Sequence, residues 1–114
     1  MTTEWLTDTA EEVHAVAVEK GWYEDGEPNF AEKIALVHSE LSEALEEYRN
    51  GHDFKLVYHP AETGKPEGIA VELADALIRI MDMSAEWDIP LAYAFRLKLE
   101  YNKSRPHRHG GKVC

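Results

Sequence analysis

Two acidic pairs carry the first chemical signal in this sequence: Glu40 and Glu43 in "ELSE", and Glu72 and Asp75 in "ELAD". Within each pair the carboxylates stand three residues apart, which in a helix puts them on one face with Cβ atoms about 5 to 6 Å apart, where like charges repel. Solvent around an exposed face offsets that repulsion, and so does a bound cation. Glu72 and Asp75 belong to a narrow polar seam that continues through Arg79, Asp82 and Glu86 and is flanked by apolar residues on both sides. Carboxylates held in such a seam shift their pKa or demand a counter-charge. If the two helices pack antiparallel, all four carboxylates converge, and an oxygen-only donor set suits Mg²⁺, with Mn²⁺ as a substitute. Iron fits less well, because di-iron bundles use Glu-x-x-His pairs and neither acidic pair contains a histidine.

Magnesium keeps several waters and favours a phosphate-bearing substrate that completes its shell. Cationic side chains are then needed for the phosphates. Lys98, Asn102 and Arg105 fall at i, i+4 and i+7, one face of a helix or its immediate end. Lysine meets a phosphate as a point charge and arginine as a fork, while asparagine bonds to base, sugar or phosphate. The ending "RPHRHGGK" adds His107, Arg108, His109 and Lys112, a basic tail over 106–114 that either closes over phosphates or is frayed.

Four helical patterns must position these groups. The first repeats Leu6, Ala10, Val13 and Ala17, begins near residue 3 or near residue 9, where Thr9 and Glu12 have capping-box spacing, and stops at Gly21. The second opens at Asn29, carries the stripe Phe30, Ile34, Val37, Leu41, Leu45 and Tyr48, and ends near Asn50-Gly51. The third runs from about Pro66 to Trp87, and the fourth from about 90 to 103. Between the second and third lies a long loop, a lid, an interface arm or a mobile segment, in which Phe54, Leu56 and Tyr58 alternate with Lys55, Val57 and His59 and allow a short strand.

The third helix has two apolar stripes, one of Ile69, Leu73, Ala76, Ile80 and Met83, the other of Val71, Ala74, Ile78, Met81 and Ala85. Burying both predicts a central helix or a dimer interface. Trp87, Tyr93 and Tyr101 read as packing residues, and His38 as structural.

The 114 residues support a single domain of the all-α class, a four-helix bundle-like protomer that dimerises through its helices. Twelve Lys and Arg against 22 Asp and Glu give a net charge of −10, which repels a nucleic-acid polymer over the general surface. With Cys114 as the only cysteine, an intramolecular disulfide is impossible, and a reducing cytoplasm is expected. The acidic start "MTTEWLTDTAEE" and the absence of an apolar run of roughly 18 residues predict neither export nor a membrane anchor.

Taken in order, Glu-x-x-Glu, a gap of 28 residues, Glu-x-x-Asp, and then Lys-x-x-x-Asn-x-x-Arg on the next helix resemble the MazG-like all-α nucleoside triphosphate pyrophosphohydrolases over roughly residues 9 to 112. The resemblance implies a dimer, or a tetramer built from dimers, that hydrolyses a nucleoside triphosphate, with a dNTP favoured, to the monophosphate and pyrophosphate for pool control or sanitation. It assigns Glu40, Glu43, Glu72 and Asp75 to Mg²⁺, and Lys98, Asn102 and Arg105 to the substrate. Many relatives have Glu-Glu-x-x-Glu where this chain has Ser39, so the catalytic carboxylates become Glu43 and, as a substitute base one turn on, Glu47, with Glu46 pointing off that face. His14 and Trp22 resemble the base-pocket histidine and stacking aromatic of pyrimidine-specific relatives. Alternatives are a phosphoribosyl-ATP pyrophosphohydrolase, a dedicated dUTP or dCTP hydrolase, and a catalytically silent helical dimer that binds nucleotide or a protein partner.

Overall fold

The computed structural model describes residues 3–26 and 28–106. Among them are four α-helices and no strand: α1 (Glu4–Glu19), α2 (Phe30–Arg49), α3 (Ile69–Glu86) and α4 (Leu91–Ser104). The tail residues His107, Arg108, His109 and Lys112, and Cys114, lie outside the described residues.

Local chemistry sets most of the boundaries. The Asn29 side chain accepts a hydrogen bond from Glu32 N–H at 3.0 Å and caps α2, as its position before the apolar stripe predicts. At the other end Gly51, at φ +81°, lets the chain turn back, so that Gly51 N–H reaches Tyr48 O at 3.0 Å and His52 N–H reaches Glu47 O at 3.2 Å. The third helix ends with the same pair of bonds, from Asp88 to Ala85 O and from Ile89 to Ser84 O, with Asp88 in the left-handed region at φ 55°.

The first helix starts at Glu4 after Thr3, the earlier of its two expected starts, so Thr9 and Glu12 lie inside it rather than forming a capping box. The start of the third helix differs from local expectation. The third starts at Ile69, not Pro66, because the backbone of Glu67 is already engaged. Tyr58 N–H donates to Glu67 O at 3.0 Å and Glu67 N–H to Tyr58 O at 2.8 Å, an isolated antiparallel bridge that stands where a short strand is expected.

α3 is the central element and packs against both α1 and α2, while α4 packs chiefly on α1. Leu6 and Ala10 of α1 meet Met81 of α3, with Val13, Leu91 and Ala92 around them. Met81, from the second apolar stripe of α3, is therefore buried inside the protomer. Large apolar residues left exposed on the two long helices are Phe30, Ile34, Leu41, Leu45 and Tyr48 on α2 and Leu73, Leu77 and Ile78 on α3. No residue of α4 is buried. No helix among the described residues is long and apolar enough to cross a membrane.

Gly68 caps α3 at φ +136°, and a Cβ placed there would stand 2.3 Å from Leu56 O. Both the backbone conformation and the contact exclude a side chain. Gly68→Ala is expected to destabilise the protein by about 2 kcal/mol or more, read as a lower urea midpoint at unchanged slope.

Candidate functional site

Packing α2 on α3 brings the two acidic motifs together. One carboxylate oxygen from each of Glu40, Glu43 and Glu72 lies within 4.8 Å of the others, with Glu40 and Glu72 buried and Glu43 exposed. Asp75, one turn beyond Glu72 and half-buried, stands beside this trio, close enough for the charge on Glu40 to raise its pKa. Arg79 Nε donates to Glu40 Oε1 at 2.9 Å. One guanidinium thus faces four carboxylates.

Electrostatics follow from that imbalance. Glu72 is pushed up to about 7, first by burial, then by a hydrogen bond with Glu43 and the charges of Glu43, Asp75 and Glu40. Glu43 rises through its hydrogen bond with Glu40 and through burial, and Asp75 rises through burial and the charge on Glu40. Burial also pushes Glu40 upward, but hydrogen bonds from Arg79 and Glu43 outweigh it and leave this carboxyl below its ordinary value. A divalent cation would remove the repulsion that raises the other three. The donor set fits one: opposite oxygen ligands of Mg²⁺ stand about 4.2 Å apart, so oxygens within 4.8 Å need only a small side-chain adjustment.

Next to the trio lies a cleft of about 310 Å³ lined by Glu43, Glu46, Glu47, Asn50, Tyr58, Lys65, Glu67 and Glu72. Its size is at the small end for a ligand pocket and suits a phosphate chain better than a whole nucleotide. Glu46, expected to point away, lines this cleft and pairs with Arg49 at 3.8 Å. Glu47 also lines it, but its carboxylate is tied. Tyr58 Oη donates to it at 2.8 and 3.1 Å, and His52 Nδ1 hydrogen-bonds to Oε2. The Tyr58 and His52 bonds hold Glu47 below its ordinary pKa, while the same contact pushes the Tyr58 hydroxyl up to about 12.

A second polar centre sits further along α3. Asp82 is only 1% exposed; it accepts from Tyr23 Oη at 2.5 Å and lies 2.9 Å from His14 Nδ1, while His14 Nε2 is 3.3 Å from Glu86. Burial and Asp82 push the Tyr23 hydroxyl well above its ordinary value. Trp22 is 41% exposed, so its ring is not core. The Arg79 guanidinium lies 5.2 Å from that ring and Lys33 5.3 Å from it, so Arg79 links the aromatic to Glu40. His38 is exposed. Arg79 was visible in the seam, but Tyr23, Tyr58 and Lys65 carry no helical spacing that points to these sites, since each reaches its site from outside a helix.

The structure does not bring α4's polar face to the acids. Lys98 and Arg105 flank the ring of Tyr101, at 5.0 and 5.6 Å, and neither they nor Asn102 line the acidic cleft. Trp87 packs edge-on against Phe30 as expected for a packing residue, whereas Tyr93 and Tyr101 are exposed.

The raised Glu72 makes stability depend on pH. Between its unfolded value of 4.5 and its folded value of about 7 the folded protein holds a proton that the unfolded chain has lost, so stability falls as pH rises through this window. The full effect is up to about 3 kcal/mol. Glu40 and Glu47, whose pKa values are lowered, act below 4.5 and do not offset it. The melting temperature without divalent cations is expected to fall from pH 5 to pH 8, to be restored at pH 8 by Mg²⁺, and to lose most of that slope in Glu72→Gln. The chain matches no family model, no curated protein and no solved structure, so its function is read from this geometry.

Proposed function

We propose that this chain is a Mg²⁺-dependent nucleoside triphosphate pyrophosphohydrolase of the MazG-like kind, with a dNTP as the favoured substrate. The observation that carries this reading is the convergence of Glu40, Glu43 and Glu72, with Asp75 alongside, beside a cleft of phosphate-chain size. Water adds across the bond between the α- and β-phosphates, giving nucleoside monophosphate and pyrophosphate. Glu40, Glu43, Glu72 and Asp75 would hold Mg²⁺, which when bound neutralises the phosphates and polarises the phosphorus; Mn²⁺ would substitute.

The remaining roles belong to this chain's own groups. Glu43 is the exposed member of the trio, and so the carboxylate that an attacking water can reach as proton acceptor. Glu47, whose carboxylate is engaged by Tyr58 and His52, acts better as an anchor than as the base. Trp22 offers an exposed face for stacking a base, next to the network of His14, Tyr23 and Asp82.

Dimerisation supplies what one protomer lacks. Leu41, Leu45, Leu73 and Leu77 are a liability in water and a ready interface for a second copy. A partner's α4 then brings Lys98, Asn102 and Arg105 to the phosphates, in a dimer or a tetramer built from dimers. The lone cysteine agrees with a cytoplasmic setting. One observation favours a catalytically silent, nucleotide- or protein-binding dimer instead: within the protomer these three residues stand away from the acids.

The test is pyrophosphate release, measured separately from free phosphate, with Mg²⁺ and a panel of ribo-, deoxyribo- and modified nucleoside triphosphates. Including dUTP, dCTP and phosphoribosyl-ATP separates the specialised hydrolases. Glu43→Gln, Glu72→Gln and Asp75→Asn are expected to lose activity by at least on the order of 100-fold. Glu19→Gln, on the exposed end of α1, is the control. Activity shared equally by all four variants removes the assignment. Sedimentation at micromolar concentration is expected to show a dimer; a monomer alone argues against the composite site.

A further inference from the structure

Residues 50–68 contain no helix, yet local bonds fold them into a defined strap. Asp53 Oδ1 accepts from Lys55 N–H at 2.8 Å, and Pro60 O accepts from Thr63 N–H and Gly64 N–H at 3.2 and 2.7 Å. The paired backbones of Tyr58 and Glu67 close the loop between them. Within that loop Thr63 Oγ1 accepts from Lys65 N–H at 3.2 Å, fixing the backbone at the lysine itself. The loop is then pinned to α2, because the Tyr58 hydroxyl donates to Glu47, and the turn ending α2 delivers His52 to the same carboxylate.

The consequence is where the lysine stands. Lys65, an exposed residue, forms part of the wall of the cleft that Glu43 and Glu72 also line, and its charge is felt by Glu43 and by Asp75. Among the described residues it makes no ion pair with any carboxylate, although acids surround it. A lysine at the wall of a cleft, held by a fixed backbone and without an ion-pair partner, is suited to a polyanion that arrives with its own cation.

We propose that Lys65 is a phosphate-binding residue of this cleft, contributed by the same protomer as the acidic trio, and that Glu47 is a positioning residue that sets it in place through Tyr58. The inference rests on reading the cleft as a triphosphate site. It assigns a cationic contact that neither α4 nor the helical spacing pattern supplies. A lysine that merely balanced the acids would matter for Mg²⁺ binding alone; a phosphate-binding lysine matters when the polyanion is present.

Calorimetry on the full chain with inorganic tripolyphosphate plus Mg²⁺, and with Mg²⁺ alone, tests it. Lys65→Met is expected to bind tripolyphosphate about tenfold more weakly, as for a lost charge-assisted hydrogen bond. Its affinity for Mg²⁺ alone should be unchanged or slightly higher, and Lys65→Arg should retain most of the tripolyphosphate binding. Tyr58→Phe is expected to weaken tripolyphosphate binding while remaining folded by thermal melting. The double variant Lys65→Met/Tyr58→Phe should bind no more weakly than Lys65→Met, since Tyr58 acts through the lysine. Additive losses overturn the positioning role. Equal tripolyphosphate binding by Lys65→Met and the unaltered chain, or none by the unaltered chain, overturns the assignment of Lys65. Turnover separates this from the hydrolase reading. If the chain binds tripolyphosphate through Lys65 but releases no pyrophosphate from any triphosphate, the hydrolase reading fails and the lysine stands; if it hydrolyses and Lys65→Met leaves KM unchanged, the lysine fails and the hydrolase stands.

Discussion

Excess negative charge at the junction of α2 and α3 is the constraint on which the rest of the structure turns. Glu40, Glu43, Glu72 and Asp75 share this junction with the guanidinium of Arg79. Bringing such groups together costs free energy that the protein must recover by packing. Ala44 on α2 and Ala76 on α3 are buried, and small side chains let helix axes approach closely. A close approach of α2 and α3 brings the carboxylates into range of one another.

The polar seam of α3 explains why one helix supports two polar centres. Glu72, Asp75, Arg79, Asp82 and Glu86 step by three and four, a period of 3.5 that drifts about 20° per heptad around a straight helix of 3.6 residues per turn. Over its length the seam therefore changes the neighbour it faces. Its first half meets Glu40 of α2 through Arg79; its second half meets His14 of α1 through Asp82 and Glu86. Arg79 sits at the crossover, bonded to Glu40 while its guanidinium lies beside Trp22. A nucleotide spanning both centres would have its phosphates at one end of this seam and its base near the other.

Much of this was legible in the residues, and the parts that were not share a cause. The cap at Asn29, the stop at Gly51, the central role of α3 and the convergence of Glu40, Glu43 and Glu72 all follow from local chemistry or from i, i+3 spacing. The start of α3 was misplaced because Pro66 suits a first helical turn, while the competing bond partner of Glu67 is Tyr58, nine residues away across a loop. The fate of Glu47 was hidden for the same reason: both its partners, His52 and Tyr58, lie beyond the helix. Helical periodicity says which face a side chain occupies, not what a loop will lay over that face. Met81 shows the complementary limit, since two apolar stripes require two neighbours but do not say whether α1 or a second chain is one of them.

The net charge of −10 sharpens what any polyanion-binding site here must do. At physiological ionic strength the screening length is about 8 Å, so exposed acids on the far sides of the helices contribute little within the cleft. What a phosphate chain would meet there is set locally, by the carboxylates of Glu43, Glu46, Glu47, Glu67 and Glu72 and by Lys65 on the strap. A bare triphosphate faces net repulsion from such a cleft. One that carries a divalent cation reverses the sign of the interaction with the trio and leaves its outer oxygens free for an ammonium. Used as a triphosphate site, such a cleft would discriminate by charge state, through the Glu72 and Glu43 carboxyls whose pKa values are raised in the metal-free protein. On that reading, selectivity for a base would fall to the other polar centre of α3, where Asp82 meets His14 and Tyr23 and the Arg79 guanidinium lies beside Trp22.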